Sequence, residues 1–116
     1  MSVAVYGIPN CDTVKKARAW LDARGVGYVF HDYKKEGADP ARLGAWVAAA
    51  GRDALVNRRG TTWKKLDPAA QAGADSDGGA VALMVANPSM IKRPVVEYAG
   101  GLLVGFDAAA WERALL

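Results

Sequence analysis

Cys11 is the single cysteine of this chain, and it sits in Tyr6-Gly7-Ile8-Pro9-Asn10-Cys11-Asp12-Thr13-Val14-Lys15-Lys16, where an apolar run gives way to an amphipathic helical pattern. A sulfur at the start of a helix faces backbone N–H groups that have no intrahelical acceptor, together with the positive end of the helix dipole. Both favour the thiolate over the thiol. Lys15 and Lys16 bring two cations into the first turns. With no second cysteine an internal disulfide is ruled out, so a redox cycle at Cys11 needs an external thiol. The alternative reading is a small buried hydrophobe. Asn10 can orient a substrate oxygen or fold the turn through an Asx-type hydrogen bond, and Asp12 and Thr13 can cap the helix. A carboxylate of Asp12 turned toward the sulfur would oppose its ionisation.

A second group of residues is Met90-Ile91-Lys92-Arg93-Pro94-Val95. Pro94 directly before a strand fixes φ and removes a donor, so the strand can begin there, and a cis peptide would bring Arg93 toward the helix start. The planar guanidinium of Arg93 can hold a carboxylate or oxyanion in two parallel hydrogen bonds. A surface arginine beside a tight turn is the plainer reading. The third group is Asn57-Arg58-Arg59-Gly60-Thr61-Thr62-Trp63-Lys64-Lys65, a polar segment that can present backbone N–H groups and arginines to an anion or can be a solvated loop. His31, the lone histidine, reads as a structural residue on a strand. One Cys and one His do not make a metal-ligand set, so no metal is expected.

The elements that must position these residues follow from periodicity. Val3 to Tyr6 reads as a buried strand that enters a turn at Gly7 and Pro9. Val14, Ala17, Trp20 and Leu21 recur at helical spacing from Asp12 to Arg24, and Gly25 is placed as a left-handed stop. Tyr28 to Tyr33 reads as a second strand, completing a βαβ unit with parallel strands. Asp39-Pro40 signals a helix start, with Leu43, Trp46, Val47 and Ala50 as its apolar stripe before Gly51. Arg58 to Lys65 reads as irregular, Leu66 to Ala72 as a short helix, Asp75 to Gly79 as a loop, and Ala80 to Ala86 as a helix ended by Asn87-Pro88. Val95 to Tyr98, the Ala99-Gly100-Gly101 turn and Leu102 to Val104 read as a hairpin. Asp107 then caps a last helix carrying Trp111, Leu115 and Leu116. The expected architecture is α/β and thioredoxin-like in arrangement, a single domain over 1–116. Its core is 1–33 with 91–116, and a helical subdomain, 34–90, is inserted between the N-terminal βαβ unit and the C-terminal ββα unit.

Composition agrees with one compact domain: 116 residues, 52% hydrophobic and 23% charged. The start lacks a basic n-region with a long apolar stretch, and no segment approaches the roughly 18 apolar residues of a membrane span. With one unpaired Cys, this points to a reducing cytoplasm and to no membrane partner. The net charge of +3 is concentrated in Arg58, Arg59, Lys64, Lys65, Lys92 and Arg93. These clusters suit an anionic small molecule or are solvated patches. Nucleic acid is not expected, because neither cluster forms a long basic helix or an aromatic stacking platform.

Taken together, Tyr6 to Arg18, Phe30-His31-Asp32-Tyr33, Asn57 to Trp63, Pro88 to Pro94 and Val104-Gly105-Phe106-Asp107 resemble the ArsC-like reductase family, most closely its short YffB-type branch. The resemblance implies a thioredoxin-like fold with a helical insertion. It implies that Cys11 is the nucleophile, that Arg93 and Pro94 match the arginine and the proline after it, and that Arg58 or Arg59 matches the arginine of the central loop. Asn10, Thr13 and Lys92 complete the expected binding residues. The implied activity is a glutathione-dependent thiol reductase with no bound cofactor, with glutathione as co-substrate and glutathione or a glutathionylated substrate as partner. Glutaredoxin is an alternative partner, and a monomer is expected. Arsenate reductases of the family carry a histidine before the cysteine and a third late arginine, where this chain has Gly7 and Gly105-Phe106. Spx-type regulators commonly show Cys-x-x-Cys, where Val14 stands here. Arsenate reduction and Spx-like protein binding are therefore the alternatives.

Overall fold

A computed structural model describes residues 3–116. Four strands form one sheet: β1 (Ala4–Gly7), β2 (Val29–Asp32), β3 (Val95–Tyr98) and β4 (Gly101–Val104), in the order β2-β1-β3-β4. β1 pairs parallel with β2, whereas β3 runs antiparallel to both β1 and β4. α1 (Asp12–Ala23) joins β1 to β2, and α8 (Ala108–Leu115) follows β4. Between the two halves come α2 (Tyr33–Glu36), α3 (Pro40–Ala50), α4 (Arg52–Leu55), α5 (Thr61–Lys64), α6 (Pro68–Ala72) and α7 (Asp77–Ala86). This is the βαβ, helical insertion, ββα order expected of a thioredoxin-like fold. The chain divides into two compact units, one running to Asp32 and resuming over Arg93–Leu116, the other Tyr33–Lys92.

In the sheet unit, alternation along the strands sends Val3, Val5 and Val96 to one face, where they pack with Ala17 and Leu21 of α1 and Trp111 and Leu115 of α8. Burying a side chain such as Leu21, which is fully enclosed, stabilises by roughly 1.5–3 kcal/mol. Trp111 is anchored by more than area. Its indole N–H donates to the Gly105 carbonyl at 3.0 Å, and its ring meets Phe106 edge-on at 4.9 Å. The other face carries Tyr6, stacked on His31 at 4.6 Å and donating its hydroxyl to Glu97 at 2.8 Å. α1 stops where Gly25 takes φ +68, with Gly25 N–H donating to Asp22 and Val26 N–H to Leu21.

In the helical unit, Asp39 caps α3 by accepting from Ala41 N–H, with Pro40 in the first position. Leu43, Trp46 and Val47 are its buried stripe; Ala50 is exposed, because it lies a turn beyond the last packed residue. Val56 bridges Ile91, and Asn57 N–H and Lys92 N–H donate to Met90 and Leu55, tying the two ends of this unit together.

Several expected boundaries move. The second strand ends at Asp32 and Tyr33 opens α2, since its side chain is buried within the helical unit against Trp46. The stretch from Arg58 is not wholly irregular: Thr61–Lys64 makes a helical turn, held by a hydrogen bond between the Thr62 and Ser89 hydroxyls at 2.8 Å. The helix expected from Leu66 starts at Pro68 behind its Asp67 cap. α7 begins at Asp77 rather than Ala80, because Ser76 caps it by accepting from Gly79 N–H at 3.1 Å. Leu116 lies beyond α8 and is exposed.

Candidate active site

β1 ends at Gly7, and an exposed Pro9-Asn10 turn delivers the chain to Cys11, whose φ −112 and ψ 127 make it the N-cap of α1. Its carbonyl accepts from Lys15 N–H at 2.9 Å. The side chain of an N-cap residue sits over the second and third helical N–H groups, here those of Thr13 and Val14. A neutral thiol is a poor acceptor, and Cys11 makes no close capping hydrogen bond. The anion is different. Burial of the half-exposed sulfur works against ionisation, but the N–H groups of Val14 and Thr13, a hydrogen bond from Arg93 and the guanidinium charge outweigh it, so the thiol titrates below its ordinary value.

Sheet register brings Arg93 there. Tyr6 of β1 faces Val95 of antiparallel β3, so the residues after β1 and those before β3 emerge at the same end of the sheet. The Arg93–Pro94 peptide is cis, Pro94 is buried, and its carbonyl accepts from Gly105 N–H at 2.8 Å. Arg93, rather than Lys15 or Lys16, is thus the cation acting on the sulfur; both lysines are exposed. The arrangement is a thiol whose ionised form is favoured by a nearby guanidinium and two backbone N–H groups. That combination stabilises both a sulfur nucleophile and an anionic group brought against it.

A family model for the ArsC family matches residues 6–114. The chain belongs to the ArsC family. The solved structure of a YffB protein is 50% identical, with a TM-score of 0.93, and the match covers 98% of this chain and 99% of that one. That of an arsenate reductase (ArsC) related protein from Brucella melitensis is also 50% identical, with a TM-score of 0.77 over 97% and 93% of the two chains. The global transcriptional regulator Spx of Streptococcus pyogenes is 25% identical over 107 residues, 90% of this chain and 78% of its own.

Within this ArsC-family chain the remaining expected residues fall as follows. Asn10 is exposed in the turn, one residue before the cysteine. Thr13 and Asp12 do not cap α1: Cys11 holds that position itself, leaving Asp12 exposed at the first helical position, where its charge suits the helix dipole. The Thr13 N–H, in the same turn, favours the ionised sulfur. Arg58, Arg59 and Lys92 belong to the helical unit. There Arg58 pairs with Asp53 at 3.1 Å and lies 5.2 Å over the Trp63 ring, while Arg59 and Lys92 are exposed. The Asn57 side chain turns this loop by accepting from Arg59 N–H at 3.2 Å. His31 stacks on Tyr6. Among the described residues, no three or more His, Cys, Asp or Glu side chains gather where they could hold a metal, and no helix is long and apolar enough to cross a membrane. One contribution was not expected: Val14 reads in the sequence as a core residue, yet its N–H lies in the first turn of α1, where it favours the ionised sulfur. Its place three residues after the cap is the signal.

Proposed function

We propose that this protein is a glutathione-dependent thiol reductase with Cys11 as its nucleophile. The observation that carries the reading is Cys11 at the N-cap of α1, where the first-turn N–H groups and the Arg93 guanidinium favour its ionised form. In the first step the Cys11 thiolate attacks the glutathione sulfur of a mixed disulfide. A Cys11–glutathione disulfide forms, and the substrate leaves as its thiolate and takes a proton from water. In the second step a glutathione thiolate attacks the bound glutathione sulfur, releasing glutathione disulfide and regenerating the Cys11 thiolate. The sum converts one mixed disulfide and one glutathione to one thiol and one glutathione disulfide. Lack of a second cysteine supports an external resolving thiol, for which glutaredoxin is an alternative to glutathione. Arg93 is assigned to hold a carboxylate of glutathione, Asn10 and Thr13 to contact the substrate beside the sulfur, and Arg58, Arg59 and Lys92 to act as further anion-binding groups. The protein works as a monomer in a reducing cytoplasm.

A second reading is favoured by the arsenate reductase-related relative: the same thiolate and guanidinium suit attack on an oxyanion such as arsenate. Turnover on a glutathione mixed disulfide and on arsenate, each with glutathione and glutathione reductase, separates the two. Activity on the mixed disulfide that disappears in Cys11→Ser supports the thiol reductase. Activity on arsenate alone replaces it with the oxyanion reading.

A further inference from the structure

Gly7 closes β1 and is not among the glycines with positive φ, so its backbone conformation is open to other residues. Space is what requires glycine there. A Cβ on Gly7 would lie 2.9 Å from Cγ2 of Val14, 3.5 Å from its Cγ1 and 3.8 Å from Cε1 of Phe30. Val14 cannot turn aside. It is fully buried, and a β-branched side chain in a helix has one strongly preferred rotamer. A methyl group at position 7 would therefore lift the first turn of α1 from β1 by something on the order of 0.5–1 Å, since carbon atoms settle about 3.5–4.0 Å apart. Val14 is the third residue after the Cys11 cap, so its main chain moves with its side chain.

We propose that Gly7 is a positioning residue for the nucleophile: its missing side chain seats Val14 against β1 and so holds the Val14 N–H on the Cys11 sulfur. The inference rests on the reading of Cys11 as a reactive thiolate. Hydrogen bonds to an anion weaken steeply as they lengthen or bend, so a small displacement at Val14 is felt at the sulfur. Arg93, from the segment before β3, is the charged group that bears on Cys11, and Asp12, Lys15 and Lys16 are exposed on the first turns of α1. Substitutions at positions 7 and 14 leave all four in place, so a changed thiolate reports the backbone donors.

The test is the pH profile of Cys11 alkylation by iodoacetamide in the wild type, Gly7→Ala, Val14→Ala and Gly7→Ala/Val14→Ala. Gly7→Ala should move the midpoint upward and slow alkylation at neutral pH several-fold. The double variant, with both Val14 methyl groups gone, should return the midpoint to that of Val14→Ala. A folded Gly7→Ala protein with the wild-type midpoint overturns the inference, as does a double variant whose midpoint stays raised. Should Gly7→Ala not fold, the double variant decides: restored folding with a Val14→Ala midpoint supports the pair, and continued failure to fold overturns it. Alkylation needs no glutathione. A wild-type protein with a low midpoint but no turnover on glutathione mixed disulfides would thus end the reductase reading without touching this one.

Discussion

The Arg93 guanidinium favours the ionised form of the Cys11 sulfur, although one residue precedes β3 and the other follows β1. The antiparallel pairing of Tyr6 with Val95 sets both chain segments at one end of the sheet. Removing the guanidinium therefore acts directly on the thiolate. Arg93→Ala is expected to raise the midpoint of Cys11 alkylation and lower its rate at neutral pH. Arg93→Lys, which keeps the charge but loses the planar fork, should fall between. Identical pH profiles for the wild type and Arg93→Ala would remove Arg93 from the site.

Cys11 also couples ionisation to folding. Its thiol titrates lower in the folded protein than in the unfolded chain, so the unfolded state binds more protons between the two values. Stability contributed by the thiolate is complete above the unfolded value, about 8.5, and is lost as pH falls through the folded one. Urea midpoints of the wild type measured from about pH 6 to about pH 9 should rise relative to those of Cys11→Ser. Parallel curves would contradict a lowered thiol pKa. The sulfur is half-exposed, so solvent screening keeps the effect modest.

Much of this was legible because single residues carry it. Gly25 after an amphipathic helix, Asp39-Pro40 and Asp107 each specify a helix end by local geometry alone, and each lies where the pattern puts it. Parallel pairing of β1 with β2 followed from the short crossover. The start of α7 was hidden because Gly78 and Gly79 are poor helix formers; at Gly79 a side chain would run into the backbone of Gly73, so tertiary packing selects glycine there over helix propensity. The Thr61–Lys64 turn depends on the remote Ser89 hydroxyl. At the site, the cysteine and its helix were visible in the sequence. Arg93 was expected near the helix start from the proline after it; that Lys15 and Lys16 are exposed was not legible, because their place on α1 alone does not say which way they face.

Asp107 tests the C-terminal unit. Its side chain accepts from Ala109 N–H at 3.1 Å and caps the helix that places Trp111 in the core. Asp107→Ala should cost about 0.5–2 kcal/mol in chemical denaturation, with Cys11 reactivity unchanged. A loss far beyond that range would mean that Asp107 does more than cap.

Arg58 and Arg59 should separate by stability. Arg58→Ala loses the Asp53 pair and the Trp63 contact, and is expected to cost about 0.5–2 kcal/mol. Arg59 is exposed, so Arg59→Ala should stay within about 0.5 kcal/mol of the wild type. If both bind the anion, KM for the glutathione mixed disulfide rises in each. An unchanged KM in both variants would limit anion binding to other residues.

In the proposed reaction Cys11 carries glutathione through a mixed disulfide. Its most direct test is the intact mass of the reduced protein after mixing with a glutathione mixed disulfide of a small thiol. A single glutathione adduct is expected, mapped to Cys11 and removed by added glutathione with release of glutathione disulfide. A protein that stays unmodified, or takes up an adduct that glutathione cannot remove, would contradict it.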